Sequence, residues 1–98
     1  WRFRPYPTIR QLPPEEPREF FTKLKISIKA YRSQKLSHGD LSEYNIINRR
    51  NEPFIIDVGQ AVPDSHPLYN HLHKRDMKNL HRFWKKYIPN LKKEELNI

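Results

Sequence analysis

Only two glycines occur in the 98 residues, and each stands within two residues of an aspartate. Gly39 lies in Ser37-His38-Gly39-Asp40-Leu41-Ser42-Glu43-Tyr44-Asn45, and Gly59 in Asp57-Val58-Gly59-Gln60. Glycine permits backbone angles that a side chain forbids, so Gly39 marks a tight loop. Nine prolines work the other way and limit how much of the chain can enter a regular core. One loop therefore carries an aspartate and an asparagine five apart. A second aspartate follows twelve residues later, after the apolar run Phe54-Ile55-Ile56.

Ninety-eight residues make one domain and no more. A chain this short buries roughly 60–65% of the surface it exposes when unfolded, so its core is possible but thin. With 36% hydrophobic residues it reads as a lobe that leans on something else. Nineteen Lys and Arg against eleven Asp and Glu give a formal charge of +8, which favours anionic partners such as RNA, nucleotide or an acidic protein surface. The plain alternative is that the lysines solvate helix faces. No cysteine is present, which excludes disulfides and thiolate metal sites and suits a cytoplasmic protein. No apolar run reaches 18 residues, so no transmembrane helix is expected. The opening Trp1-Arg2-Phe3-Arg4-Pro5 has no signal-peptide pattern and no Met. It reads as an internal start or a processed fragment.

Residues 1–14 hold Pro5, Pro7, Pro13 and Pro14 and are expected to be an extended connector, with Phe3, Tyr6, Ile9 and Leu12 free to pack on the rest of the chain. Residues 15–98 form the folded lobe. Pro13-Pro14-Glu15-Glu16 resembles a helix start, and the helix is predicted from about Glu15 to Gln34. Its apolar face is Phe20, Leu24, Ile28 and Tyr31, widened by Phe21 and Ile26. Ile46-Ile47 and Phe54-Ile55-Ile56, separated by Asn48-Arg49-Arg50-Asn51-Glu52-Pro53, predict a small hairpin with a polar turn. A last helix is expected from about Pro67 to Tyr87, with Leu68, Leu72, Leu80, Phe83, Trp84 and Tyr87 on one face and Met77 beside it. Pro89 stops it, and Lys92-Lys93-Glu94-Glu95 reads as a charged tail or frayed helix. The fold class is α+β, mostly α, with the hairpin carrying both acid loops to neighbouring strand ends.

That arrangement suits phosphoryl transfer. One carboxylate must orient the attacking hydroxyl or water, while an amide oxygen and a second carboxylate hold magnesium against the phosphates. Asp40 alone, with Ser42, could merely cap a turn, and Asn45 could be a turn residue too. Asp57 has no such plain explanation if it ends a buried strand, because a buried carboxylate is costly unless paired or bound to a cation. Protein kinases follow the same order: an aspartate, an asparagine five residues on, then a metal-binding aspartate before glycine.

The passage resembles the RIO family of atypical protein kinases, and looks closest to its Rio-one-like subgroup. The resemblance rests on His38 to Asn45, on Ile55-Ile56-Asp57-Val58-Gly59-Gln60-Ala61-Val62, on His66-Pro67, and on Arg75-Asp76-Met77-Lys78-Asn79. Pro5-Tyr6-Pro7-Thr8-Ile9-Arg10 is similar to the segment after the hinge between kinase lobes, so the likeness spans nearly the whole chain. It implies the C-terminal lobe of a protein-kinase-like fold, with ATP and Mg2+ as ligands. Asp40 would be the catalytic aspartate, and Asn45 and Asp57 the magnesium ligands. Asp57 would also be a possible phosphate acceptor. Ser42, standing where most kinases have a lysine near the transferred phosphate, joins Asn45 and Asp57 at the nucleotide. The implied partner is a pre-ribosomal small-subunit particle or its rRNA, with no membrane.

Departures from ordinary kinases carry further expectations. Eight residues between Asp57 and His66 leave no room for an activation loop, so ATP hydrolysis or self-phosphorylation is expected over transfer to peptides. Two glycines cannot make a Gly-rich phosphate loop, and no Val-Ala-Ile-Lys strand is present, so the N-terminal nucleotide-clamping lobe is missing from these residues and the chain alone is expected to be inactive. His66, His71, His73 and His81 suggest a metal, but His71 and His73 are two apart on a predicted helix and face different sides. His38 is read as a structural brace, and Arg75 with Asp76 as either an ion pair under the site or a solvated pair. The main alternative is a basic helical RNA-binding module without catalytic activity, using Lys74, Arg75, Lys78, Arg82, Lys85 and Lys86 with Phe83, Trp84 and Tyr87 interleaved. The spacing of those aromatics also fits plain core packing, which is the favoured reading of them.

Overall fold

A computed structural model describes residues 6–98; Phe3 and the first part of the expected connector lie outside the described residues. Helix α1 spans Pro17–Ser33. Strand β1 (Leu36–Ser37) leads into the glycine loop, and β2 (Ile46–Arg49) and β3 (Glu52–Ile55) form the hairpin. A short 3-10 turn at Val58–Gln60, strand β4 (Val62–Pro63) and helix α2 (Tyr69–Trp84) come next. A 3-10 turn at Lys93–Leu96 stands where the charged tail was expected. No described helix is long and apolar enough to cross a membrane.

The hairpin pairs Ile46 with Ile55, Ile47 with Phe54, Asn48 with Pro53 and Arg49 with Glu52. It is tighter than the sequence suggested, since the turn is only Arg50-Asn51. Both residues take positive φ, 52° and 68°, the geometry that matches the right-handed twist of two short strands. Asn48 makes it possible: its Oδ1 accepts the Asn51 N–H at 2.9 Å. Its Nδ2 reaches the Leu12 carbonyl at 3.0 Å, and its N–H reaches the Pro7 carbonyl at 2.8 Å. The connector therefore runs along β2, with Thr8 bridging to Ile47. A second pairing, β1 with β4 (Leu36 to Pro63, Ser37 to Val62), had no sequence signal, being two residues long and ending on proline.

The core is a seam between the two helices. Trp84 is fully buried, with its ring 5.6 Å from Phe20, 5.7 Å from Phe21 and 5.2 Å from Phe83. Tilted and edge-on aromatic pairs of this kind each add about 0.5–1.5 kcal/mol beyond area burial. Leu24, Ile28, Leu80, Ile9, Leu41 and Ile46 close around them. The shortest dimension is 19 Å, about two layers spaced ~10 Å apart, so the core is as thin as the length implies.

Several expected core residues lie elsewhere. Ile26 is exposed because, at about 100° per residue, it falls opposite the Phe20-Leu24-Ile28 face. Leu12, Leu68 and Tyr87 are exposed as well: α2 begins at Tyr69 and ends at Trp84, so the last two flank the helix instead of lining its buried face. The apolar run Phe54-Ile55-Ile56 is exposed at Phe54 and only half-buried at the isoleucines.

His73 joins the packing of α2 to the end of the chain, its Nε2 meeting the Ile98 carbonyl at 2.6 Å. Burial pulls its pKa below the ordinary 6.5, against the raising effect of that hydrogen bond. The folded state therefore binds the His73 proton less readily than the unfolded state does. The stability it contributes is fully present above pH 6.5 and is lost as pH falls through the lowered folded value. His73→Gln should flatten the pH dependence of urea-unfolding stability on the acid side of 6.5; an unchanged slope would show that His73 titrates alike in both states. Trp84→Ala should cost about 3–5 kcal/mol, against total stability on the order of 5–15 kcal/mol. Ile26→Lys should stay within about 0.5 kcal/mol. Thermal melts followed by circular dichroism separate the two.

Candidate active site

The glycine loop is fixed from below by α2. Asp76 is fully buried, and its two carboxylate oxygens accept the Gly39 N–H at 3.1 Å and the Leu41 N–H at 3.0 Å. Burial pushes its carboxyl above the usual carboxylate range, while the two N–H donors pull it back down. Arg75 donates to the Gly39 carbonyl. Arg75 and Asp76 thus brace the backbone on either side of Asp40; the ion pair between them that the sequence suggested does not form among the described residues.

Gly39 has φ +89°, and a Cβ there would meet the Gln60 carbonyl oxygen at 2.5 Å. Both the backbone angle and the close approach exclude a side chain, so the two acid loops touch through this residue. His38 ties them a second time. Its Nδ1 accepts the Asp40 N–H at 3.2 Å, which leaves Nε2 to donate to the Ile56 carbonyl at 2.9 Å. Those two partners define one neutral tautomer. His38 is the brace the sequence suggested.

Asn45 closes the loop on itself. Its Nδ2 donates to the Asp40 carbonyl at 2.5 Å, and its Oδ1 accepts the Ser42 N–H at 2.8 Å. The Asn45 carbonyl accepts the Ile56 N–H at 3.0 Å, which extends the hairpin and sets Asp57 just beyond. Asp57 adopts the left-handed conformation, φ 58° and ψ 54°, which Asp tolerates better than most residues but which still carries strain. Ser42 is half-buried, and its Oγ accepts the Tyr44 N–H at 3.3 Å, so it serves the turn.

The structure corrects one expectation directly. Asp57 does not end a buried strand; it is exposed, as is Asp40. Among the described residues, neither carboxylate has a hydrogen bond or ion pair. The set of donors fits magnesium: one exposed carboxylate, and one amide oxygen that retains a lone pair after accepting from Ser42. Magnesium uses one or two protein oxygens and fills its shell with water and phosphate oxygens. No three of His, Cys, Asp and Glu come together among the described residues, so an ion here would depend on such ligands. Two of the four histidines have partners elsewhere: His66 Nδ1 accepts the Leu68 N–H at 3.0 Å, and His73 Nε2 meets the Ile98 carbonyl. Phe83 and Trp84 belong to the core.

Residues 3–96 match the RIO domain family. The RIO-type serine/threonine-protein kinase Rio1 of Methanocaldococcus jannaschii is 37% identical over 87 residues, covering 88% of this chain and 30% of that protein. Its Rio2 counterpart from the same organism is 39% identical over 85 residues, covering 86% and 32%. Among solved structures, the Rio2 kinase-ADP/Mg2+-phosphoaspartate complex from Chaetomium thermophilum superposes with a TM-score of 0.76 at 24% identity, covering 92% of this chain and 30% of that one. The chain belongs to the RIO family. It spans about a third of the length of these relatives, and its α+β fold is that of a kinase-like lobe.

Asp76 is the functional residue whose role the sequence left open between pairing and solvation. Its signal was present: with His73 it lies on the Met77-Leu80-Trp84 side of α2, where an acid needs a specific partner. Asp76→Asn leaves one oxygen for two N–H groups and should destabilise the chain by about 1–3 kcal/mol. Hydrogen exchange should show Gly39 and Leu41 amides losing protection first. Protection that fell evenly across the chain would assign Asp76 a general packing role instead.

Proposed function

We propose that the chain is the C-terminal, catalytic lobe of a RIO-type serine/threonine kinase or ATPase that uses Mg2+ and ATP. Residues 1–14 are the post-hinge connector and residues 15–98 the lobe, completed by an N-terminal nucleotide-clamping lobe. The observation that carries the proposal is the register of the hairpin: Ile46 opposite Ile55 sets Asn45 beside Ile56, so Asp57 follows directly, while Asn45 is tied to the Asp40 carbonyl.

In this reading the Asp40 carboxylate orients the attacking hydroxyl or water and accepts its proton. Asn45 and Asp57 supply the oxygens that hold magnesium, and Ser42 lies at the nucleotide. The chemistry magnesium supplies when bound is neutralisation of charge on the transferred phosphoryl group. Asp57 is also our candidate phosphate acceptor: its carboxylate oxygen would bond to the γ-phosphorus as the bond to the bridging oxygen breaks and ADP departs. A family fold crystallised as an ADP/Mg2+-phosphoaspartate complex supports that role. The Rio-one-like subgroup rests on the loop residues, since the Rio1 and Rio2 relatives are about equally similar. A cytoplasmic role linked to small-subunit maturation completes the proposal. Of the three aromatics on which the rival reading of a non-catalytic RNA-binding module rests, Phe83 and Trp84 are buried, which weighs against base stacking by them, and Tyr87 is exposed.

The test is NMR of the labelled chain titrated with manganese in the presence of ATP. Broadening should centre on Asp40, Asn45 and Asp57 and vanish in Asp57→Asn, which tolerates the same backbone angle. Diffuse broadening would remove the metal site and, with it, the catalytic reading. In the protein with both lobes, label transferred from ATP should be released by hydroxylamine if Asp57 is the acceptor.

A further inference from the structure

One carboxylate beside the glycine loop has lost its water without gaining a donor. The Glu43 side chain is 13% exposed, and its Oε1 is shielded from solvent and has no hydrogen bond among the described residues. A buried carboxylate is costly unless it is paired. Asp76 meets that demand with two N–H groups. For Glu43, the one cation within reach among the described residues is Arg82, whose Nη2 lies 4.0 Å from Oε1.

Arg82 has no other counter-ion on its own helix. The one acid of α2 is Asp76, which is buried and already bonded to the loop. Lys78 and Lys86 stand four residues to either side of Arg82, where like charges repel. The Arg82 side chain is 65% exposed, and an ion pair between two solvated groups is weak. This pair differs because one partner is desolvated, so that removing the cation leaves a buried charge alone.

What the pair can hold is the turn that presents Asn45. Glu43 lies between Ser42 and Asn45, which are bonded to each other twice. The Ser42 N–H donates to Asn45 Oδ1 at 2.8 Å, and the Asn45 N–H to the Ser42 carbonyl at 3.2 Å. The Glu43 carbonyl accepts the Arg10 N–H at 3.2 Å, so this residue joins the turn to the connector on one side and to α2 on the other. About two helical turns earlier, Arg75 and Asp76 of the same helix fix the backbone around Asp40.

We infer that Glu43 and Arg82 are a positioning pair, which holds the Ser42–Asn45 turn, and with it the Asn45 side-chain oxygen, against α2. Its link to magnesium rests on the role proposed for Asn45; its hold on the turn does not.

The experiment takes two readouts on the full chain. Hydrogen exchange without metal compares Glu43→Gln, Arg82→Gln and the double variant with wild type. Exchange should rise about 3–10-fold at the Arg10, Ser42 and Asn45 amides, while Gly39 and Leu41, held by Asp76, keep their rates. The double variant should be no worse than the worse single one, as expected of two groups that act on each other. Lys74→Gln, which takes the same charge from the same helix, should change nothing. Manganese titration in the presence of ATP, read as broadening at Asn45, should show about 3–10-fold weaker binding in both single variants. Unchanged exchange at the turn, an even rise across the chain, or effects that add in the double variant would overturn the positioning pair. A loosened turn with manganese binding unchanged would overturn its part in the metal site. Absence of broadening at the site in wild type would overturn the magnesium reading, and the exchange rates alone would then decide whether the pair holds the turn.

Discussion

The geometry of the site depends on one buried carboxylate. Asp76 is taken out of water by the helix seam and is tolerable there because two backbone N–H groups point at its oxygens. Hydrogen bonds to a charged group contribute about 1.5–3 kcal/mol each, enough to offset much of the penalty that burial places on the ionised form. The bonds fall at Gly39 and Leu41, the residues on either side of Asp40. A helix packed by aromatic contacts therefore sets the backbone of an exposed residue.

From that anchor the constraints pass across the loops through backbone groups. Gly39 lies against the Gln60 carbonyl, His38 joins the Asp40 amide to the Ile56 carbonyl, and Asn45 joins Ser42 to Asp40. Each tie fixes main chain and leaves the Asp40 and Asp57 carboxylates exposed. This explains how Asp57 can be held in a left-handed conformation that costs about 1–2 kcal/mol in most residues: its neighbour Ile56 is hydrogen-bonded to Asn45 and His38 of the glycine loop, and Gln60 is pressed against Gly39. Backbone strain of this kind is common at functional sites, which agrees with the role proposed for Asp57.

The sequence was legible where a pattern is local. Helical periodicity located both helices to within a few residues, and the apolar pair flanking a polar run located the hairpin. The aspartates and the asparagine were singled out by type and spacing, and the structure sets them on two loops that touch at Gly39 and Gln60. Contacts between distant residues were illegible: the β1–β4 pairing, the reach of Asn48 to the connector, and the division of labour between Arg75 and Asp76. Ile26 was misassigned although its wheel position was available. Asp57 was expected to be buried because three apolar residues precede it, yet Phe54 and Val58 on either side are exposed. Hydrophobic runs report a tendency to be covered, and these 98 residues do not contain enough surface to cover that edge.

That exposed edge bears on the chemistry. On the proposed reading, half of what phosphoryl transfer requires stands here: an aspartate whose backbone is held on both sides, an amide oxygen, and a second carboxylate one residue past a hydrogen-bonded strand. The other half, groups that clamp the nucleotide and exclude water from it, has no counterpart among the described residues. Positioning contributes to rate only when both reactants are fixed relative to each other. A rigid loop facing open solvent can bind an ion and a triphosphate weakly, but it gains little in the transition state over the ground state. On the proposed reading a second surface would supply the other half, and the exposed Phe54 and Val58 stand on either side of Asp57, where it would close; a site held through its backbone accepts such a surface without rearranging.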